Sequence, residues 1–156
     1  MSKVVSYVNP VDGLVKVASP SAEHIAEVGE DAAIEAIKLD PALVKPGATE
    51  ESTHDRSELP NKTFRIAWGK SGGVVSEDMV QARLIHMDRI RVAREFEFDR
   101  LDDDEFIARG DQPTLDAIWA EKDVLKNIPQ RDEAVLNGKQ NAGDLDAYWP
   151  AELPAR

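Results

Sequence analysis

The chain contains no cysteine, which excludes disulfide staples, thiolate metal centres and thiol redox chemistry. Aromatics are scarce, with three Trp, two Tyr and four Phe, so the expected core is modest. No stretch approaches the roughly 18–20 apolar residues of a membrane span. The residues after Met1 lack the apolar run of about 7–15 that a secretion signal needs, so the expectation is a soluble protein made in a cytoplasm. Positive charge is also short, 19 Lys and Arg against 30 Asp and Glu, for a net charge of −11. Such a surface repels phosphate backbones and anionic lipid, so neither nucleic acid nor membrane is expected as a partner.

At 156 residues the chain fits one ordinary domain, or a compact domain with an arm. Lys3 to Val8, the stretch Asn9-Pro10-Val11-Asp12-Gly13, and Leu14 to Ala18 predict a β-hairpin, since Pro10 fixes φ and Gly13 tolerates positive φ. Its apolar residues do not alternate cleanly: Val4 and Val8 share one face, Val5 and Tyr7 the other. Both faces need cover, at home or on a partner's sheet. Ser19-Pro20 predicts the start of a short helix stopped by Gly29, and Asp31 to Leu39 a second one with Ala33, Ile34 and Ile37 on one side. Periodicity dissolves from Ala42 to Leu59, which predicts a linker or surface loop.

Asn61 to Trp68 fits a strand or a helical turn equally; under both readings Phe64 and Trp68 share a face and are expected to be buried. Lys70 to Gly73 predicts a turn. Ser76 predicts a helix N-cap, with Glu77 and Asp78 on the positive helix end, and no proline or glycine interrupts the chain from there to Ala108. Two apolar stripes run along this helix and require two packing neighbours. Gly110 ends it, Pro113 opens the next, and Pro129 is expected to stop that second arm. The short connection predicts an antiparallel helical hairpin. The fold class is therefore α+β: an N-terminal β-hairpin, a loop-rich middle, and a C-terminal helical hairpin, divided as residues 1–75 and 76–156.

Motifs for chemistry are weak. Gly69-Lys70-Ser71 matches the end of a phosphate-binding loop, but Phe64 stands where that loop needs a glycine. His24, His54 and His86 are not spaced as zinc ligands, and Asp102 to Glu105 lack the glycine and distal glutamate of a calcium loop, so that run reads as a solvated face. No serine sits in a nucleophile elbow. The expectation is a non-enzyme with no cofactor and no bound metal; a small carboxylate-dependent hydrolase is the alternative of another class. The sharpest electrostatic feature is Arg83, Arg89, Arg91 and Arg94 in one half of a helix whose other half is acidic. Pairs Asp88–Arg91, Arg91–Glu95 and Arg100–Asp104 are expected. The arginines are also candidates to dock an acidic partner or a second copy of this acidic chain.

Glu58 to Trp68, Met79 to Arg94, the terminal Trp149-Pro150-Ala151-Glu152-Leu153, and the hairpin with Pro10 and Asp12-Gly13 together resemble small bacteriophage tail-region proteins. The resemblance implies a structural protein of the tail or its fibres, made in the bacterial host cytoplasm and located in the virion, or alternatively a fibre-assembly chaperone that leaves before completion. Its partners would be other phage tail or fibre proteins, with homo-oligomers possible. The residues expected to carry binding are Val5, Tyr7, Val15 and Val17 on the hairpin, and Arg83, Arg89, Arg91 and Arg94 on the helix.

Overall fold

A computed structural model describes residues 2–156. The chain divides into two compact units, one ending at Asp78 and one running from Met79 to Arg156.

The first unit is built on strands β1 (Lys3–Val8) and β2 (Val15–Ala18), joined as the hairpin signals predict. Asn9 N donates to Leu14 O and Gly13 N to Asn9 O, closing the loop. Helices α1 (Ala22–Val28) and α2 (Glu30–Leu39) follow. The cap of α1 is Ser21 rather than Ser19: its side chain accepts from His24 N at 3.1 Å. The expected linker holds a third strand, β3 (Thr49–Asp55), which pairs antiparallel with β1 to give the sheet order β2-β1-β3. A short 3-10 segment (Lys62–Ala67) then leads into β4 (Trp68–Ser71), which turns at Gly72-Gly73 into β5 (Val74–Glu77). Both turn glycines have positive φ, 58° and 83°, where a side chain would be strained. Ser76 therefore lies in a strand and caps no helix.

β1 is the central strand, and Val4, Val5, Ser6 and Tyr7 are all buried. Val5 and Tyr7 face α2, clustering with Ile34, Ile37 and Val44. Register places Val15 beside Val8 and Val17 beside Ser6, on the opposite face, where Val15 clusters with Trp68 and Val75 of the β4–β5 hairpin. The sheet is thus covered on both faces within its own unit, which accounts for a strand without clean alternation. Phe64 is 1% and Trp68 4% exposed, as their shared pattern predicts.

The second unit is the helical hairpin α3 (Met79–Ile107) and α4 (Gln112–Gly138), followed by the short α5 (Ala142–Asp146). Gly110, with φ 95°, makes the reversal. The pairs Arg83–Lys139, Arg100–Glu121, Asp102–Lys122 and Glu105–Trp119 run in opposite chain directions, so the arms are antiparallel. Helix α4 does not stop at Pro129 but passes through it to Gly138. Leu125, Ile128, Asp132 and Leu136 remain buried on one side, and burial of that face outweighs the one hydrogen bond that proline removes.

Candidate partner-binding surfaces

The hairpin residues expected to meet a partner lie in the interior of the first unit. Val5 has no exposed surface, Tyr7 and Val15 are 6% and 4% exposed, and Val17 packs half-buried against the Trp68 cluster. Tyr7 Oη also donates to Leu43 O at 2.5 Å. The backbone edge of β1 is occupied by β3. Of these four, only half-buried Val17 keeps appreciable side-chain surface, and the open strand edges belong to β2 and β3.

On the Val15 face the sheet holds a polar cluster that no spacing in the sequence announces, because its members come from β1, β3 and β4. Lys70 Nζ donates to Ser6 O at 2.6 Å and to Ser6 Oγ at 2.7 Å. His54 Nε2 lies 2.7 Å from Ser6 Oγ and 2.8 Å from Ser52 Oγ, and Ser52 Oγ donates to Gly73 O at 2.9 Å. With the Ser52 proton committed to that carbonyl, the arrangement is satisfied when His54 carries its proton on Nε2 and donates into the hydroxyls. Burial holds the His54 imidazole below its ordinary value, and the Lys70 charge acts in the same direction. Burial likewise lowers Lys70, opposed by Glu50 and Glu51. Hydroxyls beside an imidazole and an amine are the parts of nucleophilic catalysis; here Ser6 has no exposed surface, Ser52 and His54 are half-buried, and the cluster cross-links the two sheets.

The four arginines of α3 do not form one patch. At about 100° per residue, Arg83, Arg91 and Arg94 fall within an arc of about 80°, and Arg89 lies on the far side of the helix. Arg83 Nη2 donates to Lys139 O at 2.7 Å, just beyond the end of α4. Arg91 pairs with Asp88 at 2.8 Å, as expected. The Arg94 guanidinium stands 5.7 Å from the Phe98 ring centre. The acidic half is not simply a solvated face: Arg100 binds Glu97, Asp104 and Glu121, and Lys122 binds Asp102 and Glu105, lacing α3 to α4.

Two grooves flank α3 in the second unit. One, of about 310 Å³, lies between α3 and α4 and brings Arg83 and Arg91 together with Val80, Leu84, Met87 and, opposite, Glu133. Val80 and Leu84 are 62% and 53% exposed. The other groove, of about 600 Å³, lies between the opposite side of α3 and the C-terminal segment, lined by Ile85, Arg89, Val92, Phe96, Trp149 and Pro154. That segment is fastened in place. Trp149 Nε1 donates to Pro154 O at 2.8 Å, Arg131 forks to Asp132 and Glu152, and Leu153 is buried.

Two polar side chains of this unit, His86 and Asp132, are buried. His86 donates from Nε2 to Tyr148 O at 2.9 Å and meets the Trp149 ring edge-on; burial pushes its imidazole below the ordinary value, with the Tyr148 carbonyl opposing. Asp132 is 1% exposed beneath Arg131. Helical periodicity could have placed both on buried faces, between Ala82 and Ile90 and between Ile128 and Leu136.

Among the described residues no group of His, Cys, Asp or Glu is arranged to hold a metal ion, and no helix is long and apolar enough to cross a membrane. Compared with known protein families, with curated proteins and with solved structures, the chain matches none.

Proposed function

We propose that the chain is a structural protein of a phage tail or tail fibre that works by protein–protein binding rather than catalysis. The sequence resemblance supplies the setting. The single observation that supports a binding role is the cleft between α3 and α4, where Arg83 and Arg91 rim exposed Val80 and Leu84. An apolar strip bordered by guanidinium groups suits a partner segment that alternates aliphatic and acidic residues, the aliphatic ones filling the cleft and the acidic ones meeting the rim. Glu133 on the facing wall orients such a segment by repelling its carboxylates toward α3.

Quantitative mass spectrometry of purified particles tests this reading. A fixed copy number per particle is the expected result. Presence in fibre intermediates with absence from finished particles would assign the chain to assembly instead, and absence from both would refute the proposal.

A further inference from the structure

Helix α3 carries a second surface that the arginine-rimmed cleft does not use. Ile85, Arg89, Val92 and Phe96 recur at the three- and four-residue steps that keep side chains on one stripe of a helix, and Asp103 and Ile107 resume it past the charged turn of Asp99 and Arg100. Phe96 is 69%, Val92 51% and Ile107 80% exposed, so the stripe is solvent-facing and carries apolar side chains on both sides of that charged turn. Its ends differ in kind. The N-terminal end is a recess, the groove of about 600 Å³ walled by Trp149 and Pro154, with Arg89 at its rim. The C-terminal end is a projection, the bare side chain of Ile107 beside acidic Asp103.

We infer that this stripe binds a second copy of the same chain, with two α3 helices antiparallel about a two-fold axis at Phe96. The inference rests on the reading of the chain as a binding protein and names one of its partners. The spacing carries it. Ile85 and Ile107 each lie eleven residues from Phe96, and Arg89 and Asp103 each lie seven. At 1.5 Å per residue Ile107 and Ile85, at the far end of a recess that runs from there to Phe96, are therefore both about 16 Å from the axis, and the two charges both about 10 Å. A two-fold rotation brings Phe96 onto its own copy, sets each Ile107 into the recess over Ile85 and Trp149, and places each Arg89 against Asp103 of the other chain. Recess meets projection and cation meets anion twice over, the self-complementarity that a closed two-fold contact requires. A parallel pairing would stack like charge on like, which selects against it. An unrelated acidic protein has no reason to match the Ile107 projection to this recess, so the second copy is the occupant the geometry favours.

The test is sedimentation velocity on the full chain at concentrations up to about 1 mM, a range that reaches even weak association. The wild type is expected to reach twice the 17.2 kDa chain mass. Phe96→Asp is expected to remain monomeric, with helicity by circular dichroism confirming that it folds. Arg89→Asp and Asp103→Arg should each weaken pairing about tenfold or more. Mixed one to one, they should pair with wild-type strength, because the acid placed at 89 of one chain meets the arginine placed at 103 of the other, while the native pair meets on the opposite side. A wild type that stays monomeric throughout, a dimer indifferent to Phe96→Asp, or a mixture no stronger than its components would overturn the inference. None of these results would touch the Arg83–Arg91 cleft, whose role is read from particles.

Discussion

Lys70 of β4 reaches across to β1 and donates to both the carbonyl and the hydroxyl oxygen of Ser6, at 2.6 and 2.7 Å, joining two sheets through one ammonium group. Ser6 is fully buried, so neither oxygen can turn to water if the amine is lost. Ser6→Ala and Lys70→Met are each expected to destabilise the protein by about 1–2 kcal/mol in urea unfolding. Combined, they should show a coupling of about 1 kcal/mol. Strict additivity would mean that the contact does not link the sheets.

Half-buried His54 and buried His86 set a pH dependence. Burial depresses the imidazoles of both His54 and His86 in the folded chain, whereas the unfolded chain takes up those protons near pH 6.5. At pH values below that point the unfolded state binds more protons, so stability must rise with pH there. The contribution is complete above about pH 6.5 and is lost as the pH falls toward the folded pKa values. Urea unfolding compared at pH 7.5 and 5.5 should show a lower unfolding free energy in acid, by no more than about 1.4 kcal/mol per pH unit for each histidine. Imidazole resonances that titrate above 6.5 in the folded protein would contradict the assignment.

Trp68 anchors the Val15 face. It is 4% exposed, packs with Val15 and Val75, and donates from Nε1 to Asn61 O at 3.1 Å. Trp68→Ala should cost about 3–5 kcal/mol, the range for a buried large aromatic. A loss below about 1 kcal/mol would show the ring to be outside the core.

Arg131 fastens the C-terminal segment through Asp132 and Glu152. Its hydrogen bonds hold the Glu152 carboxyl below the usual range, while burial, and then Asp132, raises the Tyr148 phenol. Asp132→Ala should destabilise by about 1–3 kcal/mol, less than a fully enclosed pair would because the Arg131 side chain remains 46% exposed. Hydrogen exchange should quicken around Leu153 in the same variant. Unchanged protection there would separate the segment's packing from this ion pair.

Much of this architecture was legible because its signals are local. Asn9 to Gly13 specify a tight loop, Ala33, Ile34 and Ile37 specify a helix face, and Gly110 with Pro113 specify the reversal between α3 and α4. β3 was not legible. Thr49 to Asp55 contain no apolar residue to alternate, and the strand exists because its backbone satisfies the edge of β1. The burial of Val5, Tyr7 and Val15 within their own unit was not legible for the same reason. Val5 and Tyr7 need cover, but only the fold shows that α2 supplies it. On α3 the arginines were found as a group, yet their separation to opposite sides of the helix follows from the 100° step, which was available in the sequence. The Ser6, Ser52, His54 and Lys70 cluster is wholly tertiary, since its members are brought together by strand pairing across long stretches of chain.

If the chain acts through a surface on α3, Leu84→Asp is the substitution that shows it most directly. Leu84 lies in the Arg83–Arg91 cleft, off the Phe96 stripe, and is 53% exposed, so the substitution should leave helicity and unfolding free energy within about 0.5 kcal/mol of wild type. Particles grown without the native gene and supplied with this variant should carry at least about tenfold fewer copies than particles supplied with wild type, as one buried charge in an apolar cleft costs that much or more. A folded Leu84→Asp chain that enters particles at the wild-type copy number would contradict the account.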